Sequence, residues 1–277
     1  VSPWQRSDAL TDTERLEVLD LINRTETATG REALDETRRR GVVHGWHAEH
    51  WLRRSEGRLI QYAVLEYGVI PTIELCGGGF DDELRVAVLA VHPHVHWWIR
   101  DDSSSTGRVV RRLQVLSLEI PDLSPFVPEG TIIRSFVPGV DETKWLEQNN
   151  AAFTNHPEQG AWHIDDLRGR INEPWFDPSG FLLLDIGGVI AATCWTKVHE
   201  LYRERLGEIY VLSVDPAFQG RGLGRTMLHV GLRALRQKGV KRSILFVDAS
   251  NEDALRLYHE TGFTLEREDL LLHFAND

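Results

Sequence analysis

Sulfur is scarce in this chain, with two cysteines and one methionine in 277 residues. Two cysteines are too few for a four-thiolate zinc site or a disulfide scaffold. Cys76 and Cys194 each lie in an apolar run, which predicts small core hydrophobes in a reducing compartment, the cytoplasm. Long hydrophobic runs are also missing: none reaches the ~20 residues of a membrane-spanning helix. No charged-then-apolar leader opens the sequence, so neither a membrane partner nor secretion is expected. Positive charge is in deficit, 31 Lys and Arg against 42 Asp and Glu, for a formal net charge of −11. That balance argues against nucleic-acid binding and suits a small amine ligand. The remainder is ordinary for a globular chain, 42% hydrophobic and 26% charged, and long enough for two cores. A monomer is expected.

Proline punctuates the middle. Pro121, Pro125 and Pro128 fall within eight residues, a composition that favours an extended connection over helix or central strand. A boundary near Val127 divides the chain into domains of residues 1–127 and 128–277. In the second, Thr131 to Phe136 reads as a strand, and Asp141 to Phe153 and His163 to Ile171 as helices. Phe181 to Asp185 and Val189 to Trp195 read as strands joined at Gly187-Gly188. Glu208 to Val214 is a further strand, Leu223 to Lys238 an amphipathic helix stopped by Gly239, and Arg242 to Asp248 a buried parallel strand. Ser250 and Asp253 form a capping-type start to a helix over Asn251 to Thr261, closed by Gly262.

Between that strand and that helix stands Gln219-Gly-Arg-Gly-Leu-Gly224. Glycines let the backbone turn tightly and approach a ligand, so successive N–H groups and the positive end of the following helix converge on an anion. Arg221 and Arg225 add charge, and a pyrophosphate cradle is predicted. A P-loop is excluded because Gln219 stands where its first glycine belongs and Arg225 where its lysine belongs. A dinucleotide fingerprint is excluded because Gly220, Gly222 and Gly224 are spaced by two throughout. Gln-x-x-Gly-x-Gly after a strand ending in Val-Asp-Pro resembles the acetyl-coenzyme A loop of the GCN5-related N-acetyltransferases (GNAT). Asn251-Glu-Asp-Ala-Leu-Arg-Leu-Tyr258 is similar to the last helix of that family, where an asparagine and a tyrosine face the coenzyme. The stretches His156-Pro-Glu158-Gln-Gly, Trp175-Phe-Asp-Pro-Ser-Gly180, Trp195-Thr-Lys197-Val-His199 and Gly207-Glu-Ile-Tyr-Val211 resemble tandem members of the family. In those members the C-terminal domain acetylates the cysteinyl amine of a pseudodisaccharide, desacetylmycothiol.

The resemblance implies an α/β fold of two tandem GNAT-type domains, each a mixed central sheet flanked by helices, with acetyl-CoA as acetyl donor and no metal. The first half follows the same order of elements faintly. Glu14 to Arg24 and Arg31 to Arg39 read as helices, His50 to Arg53 and Leu59 to Leu65 as a hairpin, Val69 to Cys76 as a strand, and Asp82 to Val91 as a helix. Where a cradle belongs there is only Gly77-Gly-Gly79, followed by Asp81, Asp82 and Glu83. Carboxylates there already complement the helix dipole and repel a pyrophosphate, so this half is expected to be degenerate and without a coenzyme loop.

Acyl transfer from a thioester to an amine needs a neutral amine, donors for the developing oxyanion and help for the departing thiolate. By strand alternation, Glu208, Tyr210, Leu212 and Val214 share one face. Glu208 is the candidate base and Tyr258 the candidate donor to the leaving sulfur. The resemblance assigns coenzyme binding to the backbone of Leu212 and Val214, to Gln219, Gly220, Arg221, Gly222, Leu223, Gly224 and Arg225, and to Asn251. His156, Glu158, Trp195, Lys197 and His199 are candidates for the sugar-bearing acceptor, since aromatic faces stack on sugars and lysine or histidine hydrogen-bonds hydroxyls. Each has a plainer reading: a surface carboxylate for Glu208, helix packing for Tyr258. His92, His94 and His96 alternate as a strand face would, but no cysteine or carboxylate stands in register to complete a metal site. The amine acceptor stays open at this stage between desacetylmycothiol, an aminoglycoside and a protein N-terminus, and a non-catalytic acyl-CoA-binding module is the third alternative.

Overall fold

The computed structural model describes residues 1–45, 48–100, 106–154, 160–200 and 205–276. In chain order its elements are β1 (Gln5–Ser7), α1 (Asp12–Thr29), α2 (Glu36–His44), β2 (Glu49–Ser55), β3 (Arg58–Glu66), β4 (Thr72–Cys76), α3 (Asp82–Leu89), β5 (His94–Arg100) and β6 (Arg108–Glu119). There follow β7 (Thr131–Ser135), α4 (Glu142–Ala152), α5 (Ile164–Ile171), β8 (Phe181–Ile186), β9 (Val189–His199), β10 (Leu206–Val214), α6 (Leu223–Gln237), β11 (Arg242–Asp248), α7 (Glu252–Thr261) and β12 (Thr264–Ala275). Packing gathers them into two compact units, Val1–Gln114 with Asp248–Ser250 and Arg267–Asp277, and Val115–Val247 with Asn251–Glu266.

In the first unit the strand order is β1-β2-β3-β4-β5-β12. All neighbours are antiparallel except β4 and β5, which run parallel through Thr72↔His96 to Glu74↔Trp98. The last strand of the chain is thus part of this sheet, paired from Asp269↔Arg100 to Ala275↔His94. One cluster, including Leu65, Leu84, Val88, Trp97 and Phe274, packs the sheet with α3; another, including Val18, Ile22, Val42, Leu52 and Tyr62, packs it with α1 and α2. The helix expected over Arg31–Arg39 begins instead at Glu36, because the Asp35 side chain accepts the Arg38 N–H and sets the N-cap there.

The second unit has the order β6-β11-β10-β9-β8-β7. Helices α6 and α7 cover one face through Leu223, Met227, Leu228, Leu232, Leu235 and Tyr258, while α4 and α5 cover the other through Trp145 and Leu167 against Phe181, Leu183 and Trp195. The apolar stripe of α6 at helical spacing is what seats it against β9 and β10. At α7 the cap is Asn251, whose side chain accepts the Ala254 N–H; Ser250, expected to cap, bonds Asp248 instead. Among the described residues no helix is long and apolar enough to cross a membrane.

Candidate active site

Strand β10 organises the site. It pairs in parallel with β11 only through Leu206↔Arg242, Gly207↔Ser243 and Glu208↔Ile244, while its antiparallel ladder with β9 continues to Val214↔Ala192. The Asp215 N–H donates to the Ala191 carbonyl at 2.9 Å. Backbone polarity alternates along a strand, so the amides of Leu212 and Val214 point to the opposite edge, where pairing with β11 has ended. This is an edge at which a ligand carbonyl or amide finds donors.

The expected single face for Glu208, Tyr210, Leu212 and Val214 is corrected by a β-bulge. The register passes from Ile209↔Thr196 to Val211↔Trp195, leaving Tyr210 as the extra residue. A bulge inserts one residue and reverses the alternation beyond it. Leu212 and Val214 accordingly pack with the cluster on the α6 side, and Tyr210 and Val211 with the α4 and α5 side.

Glu208 is buried, and its Oε2 lies 2.7 Å from Nε2 of buried His199. Cross-strand from Glu208 is Lys197, whose ammonium sits 4.8 Å from the ring centre of Trp175 and 5.7 Å from that of Tyr210. Trp195 stands edge-on to Tyr210 at 5.1 Å, and Arg170 on α5 donates to the Tyr210 hydroxyl at 2.8 Å while lying 4.0 Å over Trp162. The structure therefore brings Glu208, Lys197, His199 and Trp195 together. His156 and Glu158 lie outside the described residues.

The loop from Gln219 to Gly224 leads directly into α6. Gly220 and Gly222 hold φ of +75° and +76°, a left-handed conformation that other residues adopt at a cost, and open space surrounds the position a Cβ would take at each. Gly222 is the N-cap of α6, with no side-chain cap and no acidic residue in the first turn. The N–H groups opening α6, from Leu223 through Arg225, thus face outward with the positive end of the dipole. Arg221 donates to the Ala217 carbonyl at 3.2 Å and lies 5.0 Å over Phe218; Arg225 pairs with Glu260; the Gln219 amide reaches the Val214 carbonyl at 3.5 Å. These donors and cations fit a diphosphate. The corresponding end of α3 does not: the Asp81 carboxylate already accepts the Leu84 N–H at 2.8 Å and pairs with Arg53.

Tyr258 on α7 packs with Cys194, Ile209 and Met227 on the α6 side, edge-on to Phe263 at 5.9 Å. Burial, with the nearby Cys194 thiol, raises its phenol above the ordinary range, so it stays protonated at neutral pH. Asn251, expected at the coenzyme, is engaged in capping α7. The His199–Glu208 contact joins residues on different strands that chain spacing does not relate. The Arg170–Tyr210 bond likewise joins α5 to the bulge, and no local signal marks either.

Residues 144–263 match the acetyltransferase (GNAT) family. The chain is 37% identical to the mycothiol acetyltransferase of Streptomyces bingchenggensis across 95% of this chain and 94% of that protein. It belongs to the mycothiol acetyltransferase family. A second family member, from Streptomyces griseus subsp. griseus, is 36% identical over 95% of this chain and 93% of its own length. Among solved structures, a tandem GNAT protein from the clavulanic acid biosynthesis pathway superposes with a TM-score of 0.69 at 14% identity, covering 98% of each chain. The GCN5-related N-acetyltransferase from Sphaerobacter thermophilus superposes at 0.68, with 23% identity over 98% of this chain and 95% of that one. These two likenesses establish the tandem acetyltransferase fold. Mycothiol acetyltransferases are GNAT enzymes, and enzymes of the GNAT family use acetyl-CoA as acetyl donor.

Proposed function

We propose that this chain transfers acetyl from acetyl-CoA to the cysteinyl amine of desacetylmycothiol, giving mycothiol, by direct transfer within a ternary complex. In this reading the catalytic site lies within residues 128–277 and residues 1–127 carry a degenerate half without a coenzyme loop, in a cytoplasmic monomer, while the last strand, β12, completes the sheet of the first unit. The observation that carries it is the uncapped start of α6 at the end of the strand that also bears Glu208.

Gln219 through Arg225 hold the coenzyme diphosphate, and the Leu212 and Val214 amides receive the thioester end. Bound acetyl-CoA supplies the activated acetyl group. Lys197 and the aromatic faces of Trp175 and Tyr210 hold the acceptor, with His156 and Glu158 as further candidate contacts; Trp195, fully buried with its face stacked on Phe181 at 4.2 Å, packs behind them rather than touching the sugar. Asn251 borders the coenzyme while capping α7. The acceptor amine attacks in its neutral form and sheds a proton as the bond to the acyl carbon forms. Glu208 takes that proton through a water. Tyr258, kept as a phenol, donates a hydrogen bond to the departing sulfur without giving up its proton outright.

The test is product formation from acetyl-CoA with desacetylmycothiol, an aminoglycoside and a peptide N-terminus in parallel. The first is expected to turn over at least tenfold faster in kcat/KM than the others. Preference for either alternative would redirect the assignment, and coenzyme binding without turnover of any amine would make the chain a binding module. Glu208→Gln and Tyr258→Phe should each lower kcat about 10²-fold; unchanged rates would remove those roles.

A further inference from the structure

We propose that His199 is a positioning residue for Glu208 rather than a contact to the sugar, a deepening that rests on Glu208 being the base. The two residues sit diagonally across the β9–β10 ladder, with His199 opposite Leu206 and Lys197 opposite Glu208, so all four project on one face. Imidazole Nε2 and carboxylate Oε2 are 2.7 Å apart, the length of a charge-assisted bond, and both side chains are more than nine-tenths buried.

A carboxylate only accepts hydrogen bonds, so Nε2 must carry the hydrogen in this pair, whether the ring is neutral or protonated. That donor fixes the carboxylate in one rotamer. Without it the glutamate side chain has several rotamers to choose from, which would spread its oxygens over positions unable to serve the amine. With Oε2 engaged by His199, the other oxygen, Oε1, takes the proton. The base is thereby aimed by a neighbour on the next strand, and His199 acts on the reaction through Glu208 without touching the reacting atoms.

The assay measures steady-state kinetics of the full chain with acetyl-CoA and desacetylmycothiol, acetyl-CoA affinity by calorimetry, and four variants: His199→Phe, His199→Gln, Glu208→Gln and the double variant His199→Phe/Glu208→Gln. His199→Phe removes the donor at similar volume and should lower kcat roughly 10- to 100-fold while both KM values stay within threefold. His199→Gln places an amide N–H near the position of Nε2 and should recover most of that loss. In the Glu208→Gln background, His199→Phe should cost no more than about twofold, because the group it positions is gone. Undiminished acetyl-CoA affinity certifies folding in each variant.

A rise confined to the KM of the acceptor would overturn the proposal and make His199 a sugar contact. A full additional loss in the double variant would overturn it as well, since His199 would then act independently of Glu208. If Glu208→Gln itself leaves kcat unchanged, the base assignment fails, and the effect of His199→Phe alone then shows whether the histidine has a role of its own.

Discussion

Gly231, midway along α6, sets how closely that helix lies on the sheet. An ideal Cβ there would stand 2.3 Å from Cys194 Sγ, 3.3 Å from Thr196 Cγ2 and 3.4 Å from Ile209 Cδ1. Non-bonded heavy atoms settle near ~3.5–4.0 Å, so Gly231→Ala requires α6 and β9 to separate by about 1.2–1.7 Å. Cys194 is fully buried on a central strand, so any turn of its thiol presses on other packed side chains. Overpacking of this kind costs about 1–3 kcal/mol, and the better helix propensity of alanine offsets about 1, so a net loss of about 1 kcal/mol is expected. The functional effect should be larger than the loss of stability. The shift carries the N-terminus of α6 away from Glu208, and an ångström of misplacement can cost 10²-fold in rate. Cys194→Ala removes the sulfur and leaves only the two looser contacts, so in that background Gly231→Ala should restore both the urea midpoint and initial rates to near those of Cys194→Ala alone. The reasoning is refuted if Gly231→Ala leaves midpoint and rate at their native values, or if its penalty is the same with and without the sulfur.

Two further expectations concern other parts of the molecule. Burial pushes the Cys76 thiol up to about 11 and the Cys194 thiol up to about 12 from an ordinary 9.0, so the unfolded chain gives up these protons first. Their contribution to stability is intact below about pH 9 and is lost as pH rises through their folded values; urea midpoints measured from pH 8 to 11 should fall, and less steeply in Cys76→Ala/Cys194→Ala. Lys197→Met keeps the stem over Trp175 but removes the charge, and should raise the KM of the acceptor about tenfold with acetyl-CoA affinity unchanged; a matching loss of coenzyme binding would contradict its place at the acceptor.

What was legible in the sequence was short-range. The strand at Arg242–Asp248 has the bounds its apolar run suggests, and the glycine spacing from 220 to 224 foretells both the left-handed turns and the uncapped start of α6. Strand β6 is hidden in the sequence because Arg108–Glu119 lacks a clean period-two pattern, with exposed and half-buried positions adjoining along its length. The bulge at Tyr210 was equally hidden: it is decided by pairing with β9, and a single inserted residue moves Leu212 and Val214 to the other face. His199 and Glu208 each stand out in the sequence by their chemistry, but their hydrogen bond depends on strand register, to which spacing along one chain is blind. Asp81 shows the opposite case: its charge at the start of the helix is legible in the sequence, and the structure adds that its side chain caps α3.

The central claim is that one coenzyme is gripped at the start of α6 and none at the start of α3. Titration calorimetry of the full chain with acetyl-CoA addresses it directly when repeated on Gly222→Asp and Gly222→Asn, which share the cost of a left-handed side chain at the start of α6 and differ in the negative charge. The account predicts one molecule bound per chain and binding at least tenfold weaker in Gly222→Asp than in Gly222→Asn. Two equivalent sites, no binding, or an affinity indifferent to the new carboxylate would contradict it.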